Sequence, residues 1–364
     1  MAACGDPGVA VDYDAPLQDT EPDRKTPMQD THISLAHGNG GRYMRELIDE
    51  LFARHLANPL LDTRVDAARI ELDADRDVFV TTDGFTVKPL EFPGGDIGSL
   101  AVHGTVNDLS VAGAVPRYLT LNAYIEEGLE VALLDRLVAS LARAARECGV
   151  AVVAGDTKVV ARGEGGGLYL ATTGIGVRRR GIELGMDRVR AGDAVLVSGP
   201  VGDHGTAVML AREQFGLRGD LVSDSGPVLD IAQALLGVEG LRFMRDPTRG
   251  GLASVTNELV HATGLSVRLR EADVPVRDPV RSVCEMLGYD PYYLACEGRL
   301  VAVVAAAAAG DALARMSAAP GGAEAALIGG VEAPQSHARV VLETTLGGER
   351  VLEELEDDPL PRIC

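Results

Sequence analysis

The 364-residue chain contains no tryptophan, and aromatic residues make up only 4% of it. Its cores must therefore be aliphatic. Basic residues are also scarce, with 34 Lys and Arg against 54 Asp and Glu, for a formal charge of −20. A field of that sign repels nucleic acids and anionic membranes, which excludes both as general partners, and any bound anion needs a local exception. The five cysteines, at positions 4, 148, 284, 296 and 364, form no CxxC pair. That argues against a zinc cluster and fits reduced thiols in a cytoplasmic protein. The longest apolar run, Leu300 to Ala309, is too short and Ala-rich to span a bilayer, and residues 1–30 carry scattered acids where a signal peptide would have an apolar core.

What is present suffices for two ordinary domains: 46% hydrophobic residues and 43 glycines, which imply many special turns. Residues 1–30 lack apolar periodicity and are expected to be a disordered extension. A first domain over 31–180 contains a helix at Tyr43 to Leu56, a strand at Asp77 to Thr82 ending near Asp83, and a helix from Asp96, its cap, to Ala114. The run Val150 to Ala154 reads as a buried strand that releases the loop Gly155-Asp156-Thr157-Lys158. A second domain over 181–345 mixes strands and helices, and 346–364 reads as a flexible tail. The alternation is too irregular for a simple Rossmann sheet, so the expectation is α+β with two related halves.

Four carboxylates stand out. Asp83, Asp156 and Asp246 adjoin glycine or small residues at element ends, and Asp108 falls on the helix face that carries Leu100, Ala101 and Gly104. Hard cations choose oxygen ligands, and Mg²⁺ takes a few carboxylates together with substrate phosphates, so the set points to metal–nucleotide binding. Each Asp alone reads first as a turn or helix cap, and only the set tips the balance toward binding. Glycine turns at Gly38 to Gly41, Gly202 to Gly205 and Gly250-Gly251 lead into helices and offer phosphate-binding amides, although none is a P-loop. Lys158 and Arg249 suit phosphoryl oxygens, or else salt bridges to neighbouring Asp. His37 and His204 lie in glycine turns and remain ligand candidates. His103, inside an apolar helix, reads as a satisfied core residue, and Cys148, Cys284 and Cys296 read as small core fillers. The terminal Cys364 is an exposed thiol which, extended from Leu346 at 3.3–3.6 Å per residue, reaches about 60 Å from the body.

An ordered series of motifs spans all but about the first 30 residues: HGNGGR at 37–42, Thr82-Asp83-Gly84, PGGDIGSLAVHGTVNDLSVAGA at 93–114, IEEG at 125–128 and GDTKVV at 155–160. It continues with GDHG at 202–205, RDPTRGGLAS at 245–254, EG at 297–298 and the terminal PRIC. This series resembles the HypE family, carbamoyl dehydratases of NiFe-hydrogenase maturation within the superfamily of aminoimidazole ribonucleotide (AIR) synthetase and selenophosphate synthetase. The resemblance implies a two-domain, PurM-like α+β fold and ATP-dependent dehydration of an S-carbamoyl group on Cys364 to an S-cyanide. It implies a HypF-type carbamoyltransferase as donor, a HypC–HypD scaffold as acceptor, and a homodimer joined through the first domains.

Carried over by position, the resemblance makes Asp83, Asp108, Asp156 and Asp246 the Mg²⁺ ligands. Gly38, Gly40, Gly41, Asn107, Thr157, Thr248 and Arg249 become ATP contacts, and Lys158 and Glu297 become the groups that take the carbamoyl N–H protons. Without it, Glu297 is an ordinary turn residue. One departure is Cys296, at a position where the family pattern leads one to expect Asn. Two alternatives stay open: an ATP-dependent synthetase acting on a free small molecule, and a non-enzymatic thiol carrier.

Overall fold

A computed structural model describes residues 30–39, 42–63, 67–212, 219–333 and 337–354. Gly40, Gly41 and Cys364 lie outside the described residues, as does nearly all of the N-terminal extension. Among the described residues, no helix is long and apolar enough to cross a membrane.

The first half is a four-stranded sheet in the order Arg76–Phe85, Leu168–Arg179, Val115–Glu126, Ala151–Val160, with only the last pair parallel. Its inner face is covered by the helices Ile97–Val111 and Val131–Glu147. Asp96 caps the first of these by accepting the N–H groups of Gly98 and Ser99. That helix is buried at every position except Ser99 and Asp108, because it also packs against the helix Leu229–Leu235 and the strand Leu241–Arg245 of the second half. The helix is therefore buried nearly all round instead of along one stripe, as its place between two layers requires, and its polar residues Thr105, Asn107 and Ser110 are buried with it.

The second half is a seven-stranded sheet in the order Glu349–Val351, Val340–Glu343, Ser266–Arg270, Ala326–Glu332, Ala194–Val197, Val301–Val304, Leu241–Arg245. Two of its inner strands, Ala194–Val197 and Val301–Val304, are wholly buried because opposite faces serve different cores. Val195, Val197, Val301 and Val303 face the helix Gly251–Thr263, while Leu196, Ala302 and Val304 face Leu229–Leu235 and Ala309–Ala318. The first core runs without a break from Leu100 and Leu137 to Val208, Met209, Val283 and Leu294, which joins the halves.

Two expectations are corrected. The segment Gly155-Asp156-Thr157-Lys158 is strand, not loop, since its long partner continues to pair with it as far as Glu126 beyond a register shift at Leu119/Thr120. Glycine is needed at 155, where a Cβ would stand 2.5 Å from the Leu121 carbonyl oxygen. The chain also leaves the fold later than position 346. Gly347 and Gly348 form a hairpin turn, Glu349–Val351 pairs with Val340–Glu343, and Leu352 is fully buried. Asn257 Nδ2 donates to the Leu352 carbonyl at 3.1 Å and the Tyr293 hydroxyl to the Glu353 carbonyl at 2.8 Å. Only the ten residues 355–364 lie beyond this anchor, a reach of about 33–36 Å instead of 60.

Candidate active site

Three of the four carboxylates meet where the halves join. Asp83 comes from the end of the edge strand Arg76–Phe85, Asp108 from the last turn of the helix Ile97–Val111, and Asp246 from the turn after the strand Leu241–Arg245. Thr81 Oγ1 donates to Asp108 Oδ2 at 2.7 Å, and the Gly84 N–H donates to Asp83 Oδ1 at 2.7 Å. Burial pushes the Asp246 carboxyl up to about 7, with the charges of Asp108 and then Asp83 adding to it. Asp83 keeps solvent access, yet the protein around it also raises its carboxyl; the Gly84 N–H and Arg249 act in the opposite direction, and Asp108 acts with burial. Three repelling carboxylates beside one arginine make a site that favours a cation.

Thr248 and Arg249 belong to the same turn, which the Gly251 N–H closes onto the Thr248 carbonyl at 3.0 Å. Glu297, 5% exposed, is tied alongside by the adjacent Cys296 N–H donating to the Pro247 carbonyl at 3.0 Å. Cys296 itself is fully buried, and its sulfur accepts the Gly202 N–H, so at this departure from the family pattern it serves as an acceptor within the core. Asn107 is employed differently from the expectation. Its Nδ2 donates to the carbonyls of Glu297 and Gly226 at 3.1 and 3.0 Å, and its Oδ1 accepts the Val228 N–H at 2.9 Å. Every hydrogen-bonding atom of that amide is thus spent on protein backbone.

Asp156, Thr157 and Lys158 do not join this group within the chain. Strand register places Asp83, Thr172, Leu121 and Gly155 in one row. Three inter-strand steps separate its ends, about 14 Å. Alternation then turns Thr157 inward, 6% exposed, while Asp156 and Lys158 face out and pair with each other at 3.6 Å. Gly38 packs against Val159 beside them. A cavity of about 100 Å³ adjoins this second group, lined by Met44, Ile48, Phe52, Leu121, Asp156 and Thr157.

The histidines divide. Neither His37 nor His204 faces the carboxylates through its bonded nitrogen, since Nδ1 meets Ser34 in one case and Ser223 in the other. His103 Nδ1 lies 3.3 Å from Ser225 Oγ, but its buried Nε2 has no hydrogen-bond partner, so its core role is only half satisfied. The buried Cys148, Cys284 and Cys296 are free thiols, as core fillers should be. Thr81 and the loop 221–228 are site features that sequence reasoning missed; their partners lie too far off in sequence to leave a motif.

Among the described residues, no three carboxylate, His or Cys groups are close enough together to hold a metal unaided. The donor chemistry nevertheless fits Mg²⁺, which keeps few carboxylates and completes its shell with phosphate and water oxygens.

Models of the AIR synthase related protein family match the chain twice, the N-terminal domain over residues 64–178 and the C-terminal domain over 190–341. The carbamoyl dehydratase HypE of Azotobacter vinelandii is 49% identical over 333 residues, covering 91% of this chain and 97% of that protein. The chain belongs to the HypE family. It is accordingly an enzyme of hydrogenase maturation, a carbamoyl dehydratase, with the AIR synthetase-like two-domain fold. A crystal structure of HypE in complex with ATP superposes with a TM-score of 0.86 at 46% identity, covering 91% of this chain and 99% of that one. One of a HypE–HypF complex gives 0.73 at 42% identity, covering 85% and 99%.

Proposed function

We propose that the chain dehydrates a carbamoyl group carried on the sulfur of its own Cys364, with ATP as co-substrate, and thereby supplies the cyanide ligands of the NiFe-hydrogenase iron. The observation that carries this reading is the meeting of Asp83, Asp108, Asp246 and Arg249 with the buried Glu297 at the junction of the halves. The solved relative that binds ATP supports the choice of nucleotide.

Oxide is a poor leaving group, and transfer of a phosphoryl group to the carbamoyl oxygen makes it a good one. The C–O bond then breaks, oxygen departs as phosphate, and the nitrogen sheds two protons to leave S–C≡N. Two proton acceptors are therefore required. Glu297 is one, held within the site, and Lys158 is the other. Arg249 and the backbone amides of its turn hold phosphate oxygens. A Mg²⁺ ion held by Asp83, Asp108 and Asp246 would neutralise charge on those oxygens. The apolar cavity by Thr157 suits a nucleobase, and Asp156 fixes the Lys158 ammonium.

A homodimer is supported by the outer face of the first sheet, where Val78 and Val80 are 47% and 65% exposed and Tyr124, further along the sheet and paired in register with Lys158, is 44% exposed. A second copy covering that face also covers Lys158, which makes this lysine part of a site shared between chains. A HypF-type carbamoyltransferase loads Cys364, as the HypE–HypF structure of a relative suggests, and a HypC–HypD scaffold receives the cyano group. Localisation is cytoplasmic.

Intact-mass measurement tests the scheme. With the carbamoylating partner the chain should gain about 43 Da, falling to about 25 Da above the starting mass with ATP and Mg²⁺, as expected for a covalent adduct on the thiol. Absence of any adduct on Cys364 overturns it, and an adduct that ATP does not change indicates a carrier. Turnover by a chain lacking Cys364 indicates a synthetase for a free substrate.

A further inference from the structure

We propose that Asp224 is a positioning residue that sets the direction of the Glu297 side chain. The inference rests on the reading of Glu297 as a proton acceptor. The Asp224 side chain is fully buried, in the loop between Leu221 and Val228. Its Oδ1 accepts the Glu297 N–H and its Oδ2 the Gly298 N–H, both at 3.3 Å. From the other side, Asn107 donates to the Glu297 carbonyl.

These three bonds grip both peptide planes that flank the Glu297 Cα. Because each peptide unit is planar, fixing one plane through its N–H and the next through its C=O and N–H fixes the two backbone dihedrals between them. The Cα–Cβ direction follows. The grip has no slack. A Cβ on Gly298 would lie 1.8 Å from the Asp224 carbonyl oxygen, so only glycine allows the loops to approach this closely. The Asp224 loop is itself pinned, since Ser223 Oγ accepts the Ser225 N–H at 2.9 Å and pairs with His204 Nδ1 at 2.8 Å.

A buried carboxylate needs charge and donors around it. Arg299 Nε stands 3.6 Å from Asp224 Oδ2, and the two amides complete the set. Arg299 also holds the Pro200 carbonyl at 3.1 Å, which anchors the cation. An ordinary turn would be closed by backbone alone. Here a carboxylate from a loop 73 positions away in sequence closes it, and the residue it orients bears the carboxyl assigned to proton removal. A displacement of about 1 Å at a reacting group costs on the order of 100-fold in rate, so such a clamp has a kinetic consequence.

The test is a double-mutant cycle on the full-length chain, carbamoylated on Cys364 and followed in single turnover by intact mass. Asp224→Asn retains the size but loses one acceptor. Its conversion rate should fall about 10- to 100-fold with the ATP dissociation constant unchanged within about twofold. Asn107→Ala, which releases the opposite grip, should show the same split and serves if the first variant does not fold. In the Glu297→Gln background neither substitution should lower the rate further, because both act through Glu297. Full additivity, or a loss of ATP affinity that accounts for the rate, overturns the proposal. Normal conversion by Glu297→Gln overturns the proton-acceptor reading itself. A slow Glu297→Gln with a normal Asp224→Asn overturns only the clamp.

Discussion

Asp246 follows the end of a strand and Asp156 lies within one, and Asp246 is buried among like charges whereas Asp156 stands half in water, 3.6 Å from Lys158. At Asp246 the fold maintains an unfavourable arrangement that a bound cation or protonation relieves. At Asp156 it maintains almost nothing, since an exposed pair contributes about 0–1 kcal/mol. Burial marks where binding energy is stored, and exposure marks where a surface awaits cover. The first group comes together within one chain; in the proposed dimer a neighbour would close over the second.

Four experiments probe this contrast. The largest effect is expected for Asp246→Asn, where conversion of the carbamoyl group should fall by at least about 100-fold. The same variant should be more heat-stable than the parent without nucleotide, increasingly so from pH 5 to 8. A carboxyl raised to about 7 in the fold stabilises below its unfolded value near 3.8 and loses that contribution as pH rises through 7. Equal thermal midpoints at pH 8 would contradict the buried repulsion. Next, Lys158→Ala should lower conversion about 100-fold while ATP binds normally in calorimetry, and weaker ATP binding would instead make Lys158 a phosphate ligand.

Asp156→Asn should slow conversion no more than about tenfold and leave the melting temperature within about 1 °C, because only an exposed pair is lost. A melting shift of several degrees would place Asp156 with the buried group. A last effect, on the pH dependence of stability and not on conversion, and of opposite sign to that of Asp246, is expected at His204, whose ring burial holds near 3. Its contribution is present above the unfolded value of 6.5 and is lost as pH falls toward 3. His204→Gln should therefore flatten the decline in melting temperature between pH 6.5 and 4, and an unchanged slope would show the ring to be protonated in the fold.

Much of this was legible in the chain. Asp96 capped its helix as its spacing indicated, and the acids at 83, 108 and 246 converge although 163 positions separate the first from the last. The lysine-bearing segment misled because Gly-Asp-Thr reads as a turn, and only a long pairing partner makes it strand. The tail misled for a similar reason: Gly347-Gly348 resembles a hinge but closes a hairpin once Val340–Glu343 offers an edge. Asn107 and Asp224 were beyond reach, since their backbone partners lie 190 and 73 positions away. Local pattern carries elements and caps; what grips what across the junction is decided by packing.

The late anchor at Leu352 has a kinetic corollary. A thiol borne on the same chain as the site meets it within one molecule, so the encounter does not depend on how much protein is present. Dehydration should then follow first-order kinetics in loaded chain, with no saturation curve for the carbamoyl group, and dilution should slow loading and unloading while leaving the chemical step unchanged.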